Sequence, residues 1–290
     1  MNVEHLDLQE ENPFSFDAFM SPCYNHMMQF KAHTIARILV SFIPMASILF
    51  KCRLFPQSIY SFGAGSCSHE AFLSCIYKDT NINCFDISSK YIPVYTKKLI
   101  NNNPKFRFNE ISFEKLDWSD FSQMADFVFT IQTLEHIKET ETTLDNLSST
   151  VKPGGYIYID APYFSEIENQ EDPIFLKAEK LRQWQKNSHY HLGFSLKRMR
   201  ERLKERGFTI IESGYSSYMR AESALLNLIR SNECFKNKNA DYPLVSGLSN
   251  LYHTMLEHSE AYCGGESALD SLKIKERKAL AFRILAQRNN

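Results

Sequence analysis

The chain has 290 residues, 43% of them hydrophobic and 23% charged. That leaves enough apolar side chains for a large core and argues against global disorder. Thirty-three Lys and Arg stand against 34 Asp and Glu, a formal net charge of -1, so no general field draws the protein to nucleic acid or to anionic lipid.

In chain order, the N-terminal sequence MNVEHLDLQEENPF is acidic and polar where a signal peptide would be basic and then apolar, so no export signal is expected. The most apolar stretch, Ile35 to Phe50, contains Arg37 and Pro44 and falls short of the ~20 residues of a membrane-spanning helix, which predicts a pair of buried helices. Phe14, Phe16, Phe19, Tyr24 and Phe30 could line a lid over an acceptor pocket. Phe16, Phe19, Met20 and Tyr24 also fit helical spacing closely enough to read as ordinary core packing.

From Pro56 onward β-rich runs alternate with longer amphipathic ones, the pattern of crossover units and a parallel sheet in an α/β fold. Strands are predicted at Ser58–Phe62, Asn81–Phe85, Phe106–Ser112, Phe127–Ile131, Tyr156–Ala161 and Phe208–Ser213. Helices are predicted near Ser68–Tyr77, Ser88–Asn101, Leu134–Ser149 and Ser195–Arg206. Lys152-Pro153-Gly154-Gly155 and Arg206-Gly207-Phe208 each stop a helix and start a strand. The apolar run Ala279–Ala286 is predicted to return to the sheet as a terminal edge strand.

Four regions result: a helical N-terminal lid (1–55), a catalytic domain (56–213), a helical insertion (214–277) and the terminal edge strand (278–290). The stretch 163–192 is also expected to be helical cover. Within the insertion, Ala224–Ile229 and Leu248–Leu256 carry apolar faces suited to closing a pocket or joining two copies as a homodimer. The seven cysteines (Cys23, Cys52, Cys67, Cys75, Cys84, Cys234 and Cys263) are scattered, odd in number and never spaced C-x-x-C. No disulfide framework or metal site is therefore expected, and they read as reduced, mostly buried thiols of a cytoplasmic protein.

The end of the first predicted strand runs into Gly63, Ala64 and Gly65 just before a helix. A backbone without side chains lets a ligand approach, and the free N–H groups of the helix suit an electronegative group. Asp86 ends the second strand about 20 residues on, where a carboxylate can accept both hydroxyl hydrogens of a ribose.

On these residues the chain resembles the class I S-adenosylmethionine-dependent methyltransferases, in the group with a Leu-Glu-His segment after the fourth strand. Asp117-Trp118, Phe127–Ile131 with Gln132-Thr133-Leu134-Glu135-His136, Lys152–Ile159, and Phe194-Ser195 leading to Gly207-Phe208 follow in the family's order. The resemblance covers roughly 57–162 well and 191–213 loosely. It implies a three-layer Rossmann-like fold with a mostly parallel seven-stranded sheet, a helical lid, and a helical insertion before the last strand. It also implies S-adenosylmethionine as donor, S-adenosylhomocysteine as product, and donor contacts from Gly63, Ala64, Gly65, Asp86, Ile87, Asp117, Trp118, Gln132 and Thr133.

Two departures stand out: Ser61 lies where the family often carries an acid that helps bind the methionine amino group, and Cys67 replaces the third glycine. Gln29, His33 and Arg37 are candidates for the missing contact. A nicotinamide-binding enzyme would ask for glycine where Ser68 stands. A methyltransferase-like binding module without catalysis is the alternative from another class, and Ser61 and Cys67 favour it.

For the acceptor, His136, Asp160, Tyr163 and His191 lie after strand ends, where ligands gather in this architecture, and the resemblance places His191 against the acceptor pocket. Each has a plainer reading, the histidines as hydrogen-bonding loop residues and Asp160 as a turn cap. The basic run Lys197–Lys204 could touch a phosphate, which keeps a nucleic-acid methyltransferase as a lesser alternative, but it reads first as a solvated helix face, since no aromatic platform for nucleic acid accompanies it. The expected reaction is methyl transfer to N or O of a small-molecule or short-peptide acceptor, of the kind found in biosynthetic pathways, with no membrane partner.

Overall fold

The computed structural model describes residues 16–27, 29–163, 190–191, 193–218 and 279–290. Its centre is a seven-stranded sheet of β1 (Ser58–Phe62), β2 (Asn81–Asp86), β3 (Phe106–Glu110), β4 (Ala125–Ile131), β5 (Val151–Pro162), β6 (Phe208–Tyr218) and β7 (Ala279–Arg288), in the order β3-β2-β1-β4-β5-β7-β6. The first five strands are parallel, and β7 runs antiparallel to both β5 and β6.

Alternate side chains of the strands serve two cores. Ile59, Phe127, Phe129, Tyr158 and Leu285 pack beneath α1 (Phe16–Met20), α2 (Tyr24–Met27), α3 (Ala32–Lys51) and α4 (Ser68–Ile76). Tyr60, Phe62, Val128, Ile157 and Ile159 pack on the other face against α6 (Thr140–Thr150) and α7 (Leu196–Glu205). A period of two along each strand thus produces three layers. The remaining helix, α5 (Val94–Asn102), joins β2 to β3.

Four expectations are corrected. The apolar stretch around Pro44 is one helix of 20 residues and not a pair, because its apolar positions continue without a break through the proline. Residues 34–51 of it have a mean hydropathy of 1.6 and are 72% buried, as in the core helix of a folded domain. Helix α5 begins six residues late, since Pro93 holds the chain extended before it. The predicted helix Leu134–Ser149 divides into a 3-10 turn, Leu134–His136, and α6, with Ile137 extended between them.

The fourth correction concerns β7, which lies between β5 and β6 and is not an edge strand. Ala281, Phe282, Ile284, Leu285 and Ala286 are all buried, so the poor alternation of this run marks a strand covered on both faces. β6 is the edge and runs on to Tyr218, past the expected start of the insertion at 214.

The aromatic residues proposed as a lid are packed where they are described. Phe16 and Phe19 contact Phe50, and Phe30 meets Phe72 and Tyr95 edge to face. Cys23, Cys67 and Cys84 are buried free thiols, and Cys52 and Cys75 are free and half-buried. Phe14, Cys234, Cys263, most of 163–192 and both apolar segments of the insertion lie outside the described residues.

Candidate active site

The strand order reverses between β1 and β4, and ligands of open α/β sheets bind at such a point, beyond the carboxyl ends of the strands. β1 pairs with β2 in parallel up to Phe62 opposite Phe85, which brings the tips of the two strands together. The amides of Gly63 and Ala64 donate to the Phe85 carbonyl at 2.9 and 3.2 Å, folding the glycine loop over the end of β2. Gly65 then donates its N–H to Asp86 Oδ2 at 2.8 Å, while Ser88 N–H donates to Oδ1 at 3.2 Å. The expected meeting of the loop around Gly63 and Gly65 with the Asp86 carboxylate is therefore present.

The glycines have separate reasons. Gly63 has φ +80°, and a Cβ there would overlap the Thr133 side chain. Thr133 in turn donates its hydroxyl to the Ile131 carbonyl at 3.0 Å, so it is held against the loop. Gly65 has φ +52° but faces open space, as a surface for a ligand requires. Cys67 also has φ +52° and caps α4 in the left-handed conformation, which explains why glycine suits this place and shows that cysteine can occupy it.

Beyond the tip of β2, Ile87 follows Asp86 and is 73% exposed. Asp117 is exposed and accepts from Ser119 N–H at 3.1 Å and Ser119 Oγ at 2.6 Å, and these bonds hold its carboxyl below the usual range. Trp118 is tied inward instead. Its ring stacks on Phe62 with centroids 5.1 Å apart and its indole N–H donates to the Phe113 carbonyl at 3.2 Å.

Gln132 ends β4 in the left-handed region at φ 50°. Its backbone N–H donates to the Asp160 carbonyl at 2.8 Å, and its Nε2 donates to Asp160 Oδ1 at 2.7 Å. Asp160 is buried, so its carboxylate serves to fix Gln132 at the strand tip. The ring of His191 is anchored as well, its Nε2 lying 3.0 Å from Thr140 Oγ1 and 3.1 Å from the Ile137 carbonyl. A carbonyl only accepts and Thr140 gives its own hydrogen to the same carbonyl, so Nε2 carries the proton, and any base action would fall to Nδ1. His136 Nε2 is 3.7 Å from Glu135 Oε1, and Tyr163 bridges in parallel to Phe194.

Two buried carboxylates escaped the sequence reading. Glu135 is 2% exposed, burial raises its carboxyl above the usual value, and its backbone carbonyl accepts from Tyr190 and His191 N–H at 2.8 and 3.1 Å. Glu70, in the first turn of α4, is 1% exposed and accepts a hydrogen bond from Ser61 Oγ. The available signal for Glu70 was an acid opening an apolar helix directly after the loop whose strand lacks one. The proposed donors Gln29 and Arg37 are exposed, and nothing is described of the His33 side chain.

Among the described residues no cluster of three metal-ligating side chains occurs. An open groove lined by Arg200, Lys204, Ile211 and Glu212 lies beside the edge strand β6, at the far side of the sheet from the β1 and β2 tips.

A mostly parallel seven-stranded sheet of this order, with its glycine loop after β1 and a carboxylate after β2, is the Rossmann-like fold of class I S-adenosylmethionine-dependent methyltransferases. The chain belongs to the methyltransferase domain family, whose profile matches residues 62–213, and S-adenosylmethionine is the cofactor of that family. Among solved structures it is similar to a provisionally named sarcosine dimethylglycine methyltransferase from Galdieria sulphuraria, with 15% identity, a TM-score of 0.54, and coverage of 87% of this chain and 86% of that one. It is also similar to Haemonchus contortus phosphoethanolamine N-methyltransferase 2 in complex with phosphomonomethylethanolamine and S-adenosylhomocysteine, with 15% identity and a TM-score of 0.50. That match covers 96% of this chain and 61% of the other. At such identities the likeness is one of fold. No curated protein matches the chain in sequence.

Proposed function

We propose that the protein is an active S-adenosylmethionine-dependent methyltransferase whose acceptor is a small molecule or short peptide, methylated on nitrogen in the cytoplasm. The observation that carries this reading is the bond from Gly65 N–H to Asp86 Oδ2, which locks an open glycine cradle beside a ribose-binding carboxylate at adjacent strand tips. The residues fit the donor: Gly63, Ala64 and Gly65 form the backbone cradle, Asp86 offers acceptors for ribose hydroxyls, and exposed Ile87 offers an apolar face to the base. When bound, the donor supplies an activated methyl group, so aligning the nucleophile and excluding water can account for most of the catalysis.

Two of the four candidate bases, Asp160 and His191, are committed in part to structural bonds, which favours nitrogen over oxygen while His191 Nδ1 stays open to a base role. Asp160 Oδ1 is engaged by Gln132, and His191 Nε2 is engaged by Ile137 and Thr140. An amine needs only to be neutral when it attacks, whereas a hydroxyl benefits from a base. The grounds for a silent binding module weaken in parallel, since Cys67 adopts the backbone conformation of the glycine it replaces and Glu70 brings a carboxylate to Ser61.

Mass spectrometry of the purified protein for retained S-adenosylhomocysteine, with calorimetry against that ligand and NAD, tests the donor. Preference for NAD overturns the assignment. Methyl transfer assayed first on sarcosine, dimethylglycine and phosphomonomethylethanolamine, the small amines in the names of the similar structures, tests the acceptor class. Donor binding with no turnover on amines or hydroxyl compounds would favour the silent module.

A further inference from the structure

Strand β1 reaches the donor cleft without an acid of its own. Ser61 alternates with Tyr60 and Phe62, which face the α6 and α7 side, and so points toward α4. There its hydroxyl donates to Oε1 of Glu70, nine residues on and one turn into the helix that follows the glycine loop. The second oxygen, Oε2, is buried and has no hydrogen-bond partner among the described residues. Burial pushes this carboxyl up to about 7, and the nearby charge of Asp86 adds to that. An unpaired carboxylate oxygen in a low-dielectric setting calls for a cation that also donates hydrogen.

We infer that Glu70 receives the ammonium group at the amino-acid end of the methyl donor, standing in from α4 for the acidic side chain that β1 lacks at Ser61. This rests on the donor reading proposed above. Of the donor's two positive centres, the sulfonium has no hydrogen to give, whereas the ammonium has three. Only the ammonium can satisfy Oε2 in both charge and hydrogen bonding. Ser61 then acts as a positioning residue, since its hydrogen bond to Oε1 leaves Oε2 free for the ligand.

The test compares S-adenosylhomocysteine, which carries the ammonium, with 5′-methylthioadenosine, which lacks the amino-acid group. Calorimetry is run on the wild type, on Glu70→Gln, and on the exchange variant Ser61→Asp with Glu70→Ser. Glu70→Gln is expected to weaken S-adenosylhomocysteine tenfold or more and to leave 5′-methylthioadenosine within about twofold. The exchange variant, which returns the acid to β1, is expected to recover most of the difference. Should Glu70→Gln fail to fold, the exchange variant decides. Preference there for S-adenosylhomocysteine supports the inference, and equal affinity for both ligands overturns it. Unchanged binding of both ligands by Glu70→Gln, or equal loss of both, also overturns it and makes the carboxylate part of the α4–β1 packing. A wild type that binds neither ligand refutes the donor reading itself, while one that binds both equally refutes only the role of Glu70.

Discussion

Gly63 and Thr133 share a space that has room for only one side chain: a Cβ on the glycine would overlap the threonine at its hydroxyl, its methyl and its own Cβ. The threonine cannot turn away freely, because its hydroxyl is bonded to the Ile131 carbonyl. Gly63→Ala therefore combines a left-handed backbone with a steric clash, whereas Gly65→Ala meets only the backbone cost of about 1–2 kcal/mol. Denaturant unfolding should show Gly63→Ala less stable than Gly65→Ala by about 1–3 kcal/mol, the range of overpacked sites. Adding Thr133→Gly should restore part of the loss. Equal stabilities for the two alanine variants would mean that the loop moves to make room.

Asp86 holds the Gly65 amide, and the proposed function also gives it the ribose of the donor. Asp86→Asn keeps an oxygen for the amide but loses the charge, and Asp86→Ala loses both. Hydrogen bonds to charged groups contribute about 1.5–3 kcal/mol, so calorimetry with S-adenosylhomocysteine should show about 10- to 100-fold weaker binding for Asp86→Ala, with Asp86→Asn between it and wild type. Donor affinity within twofold of wild type in Asp86→Ala would remove this carboxylate from the site.

How much the sequence reveals follows from how local each signal is. β1 is bounded correctly because apolar residues, a glycine turn and a helix start succeed one another within a few positions. The interior place of β7 is not legible, because partners at β5 and β6, more than 60 residues away in sequence, decide it. Pro44 reads as a breaker, yet apolar packing on both sides of it keeps α3 whole. The meeting of the loop from Gly63 to Gly65 with Asp86 is legible, since backbone conformation and strand position express themselves in residue type. Glu70 offers only a weak sign, an acid opening an apolar helix after a strand that lacks one, and neither its burial nor that of Glu135 is legible until the partner is seen. The roles expected of Trp118 and Asp160 come from position along the chain, and neither the inward stack on Phe62 nor the bond to Gln132 is visible at that level.

His191 offers a separation of base from anchor. Its Nε2–H is directed at Ile137 and Thr140, and its backbone N–H at the Glu135 carbonyl, so the ring pins the segment before α7 to the turn after β4. His191→Ala should leave affinity for S-adenosylhomocysteine unchanged within twofold and lower turnover with a raised KM for the acceptor. His191→Gln, whose amide can donate to the same carbonyl, should recover most of that turnover. Failure of glutamine to rescue, together with loss of an ionisation step from the pH profile of kcat, would make the histidine a base through Nδ1.

Asp126 ties the start of β1 to β4 and β5. It accepts from the backbone amides of Gln57 and Ser58, from Ser58 Oγ, and from Lys152 Nζ at 2.8 Å. Burial pushes its carboxyl up, but the bonds from Lys152 and Ser58 outweigh burial and hold it below the usual 3.8. A lowered folded value means that the contribution is complete above 3.8 and is lost as pH falls through the lower value. Asp126→Asn should therefore be less stable than wild type at pH 7, by on the order of 1 kcal/mol given the partial exposure, and the gap should narrow as the pH is taken below 4. A gap that stays constant from pH 7 to pH 3 would rule out an ionic contribution.

His69 and Glu70 are neighbours whose demands on pH oppose each other. The His69 ring is bonded to Ser41 Oγ at 2.8 Å and packs against Phe42, and although the residue keeps some exposed surface, burial lowers it to about 4. Glu70 is held at about 7 by burial, against the bond from Ser61 and with the charge of Asp86 adding to the effect. Between about 4 and 6.5 the unfolded histidine binds a proton that the folded one refuses, so its contribution to stability rises with pH. Between about 4.5 and 7 the folded glutamate keeps a proton that the unfolded one releases, so its contribution falls with pH. Each slope has a ceiling of about 1.4 kcal/mol per pH unit, and over the shared range the two largely cancel. Relative to wild type, Glu70→Gln should gain stability as pH rises from 4.5 to 7, and His69→Gln should lose stability as pH rises from 4 to 6.5. Parallel stability curves for wild type and both variants, measured by urea unfolding across that range, would show that neither group changes its protonation on folding.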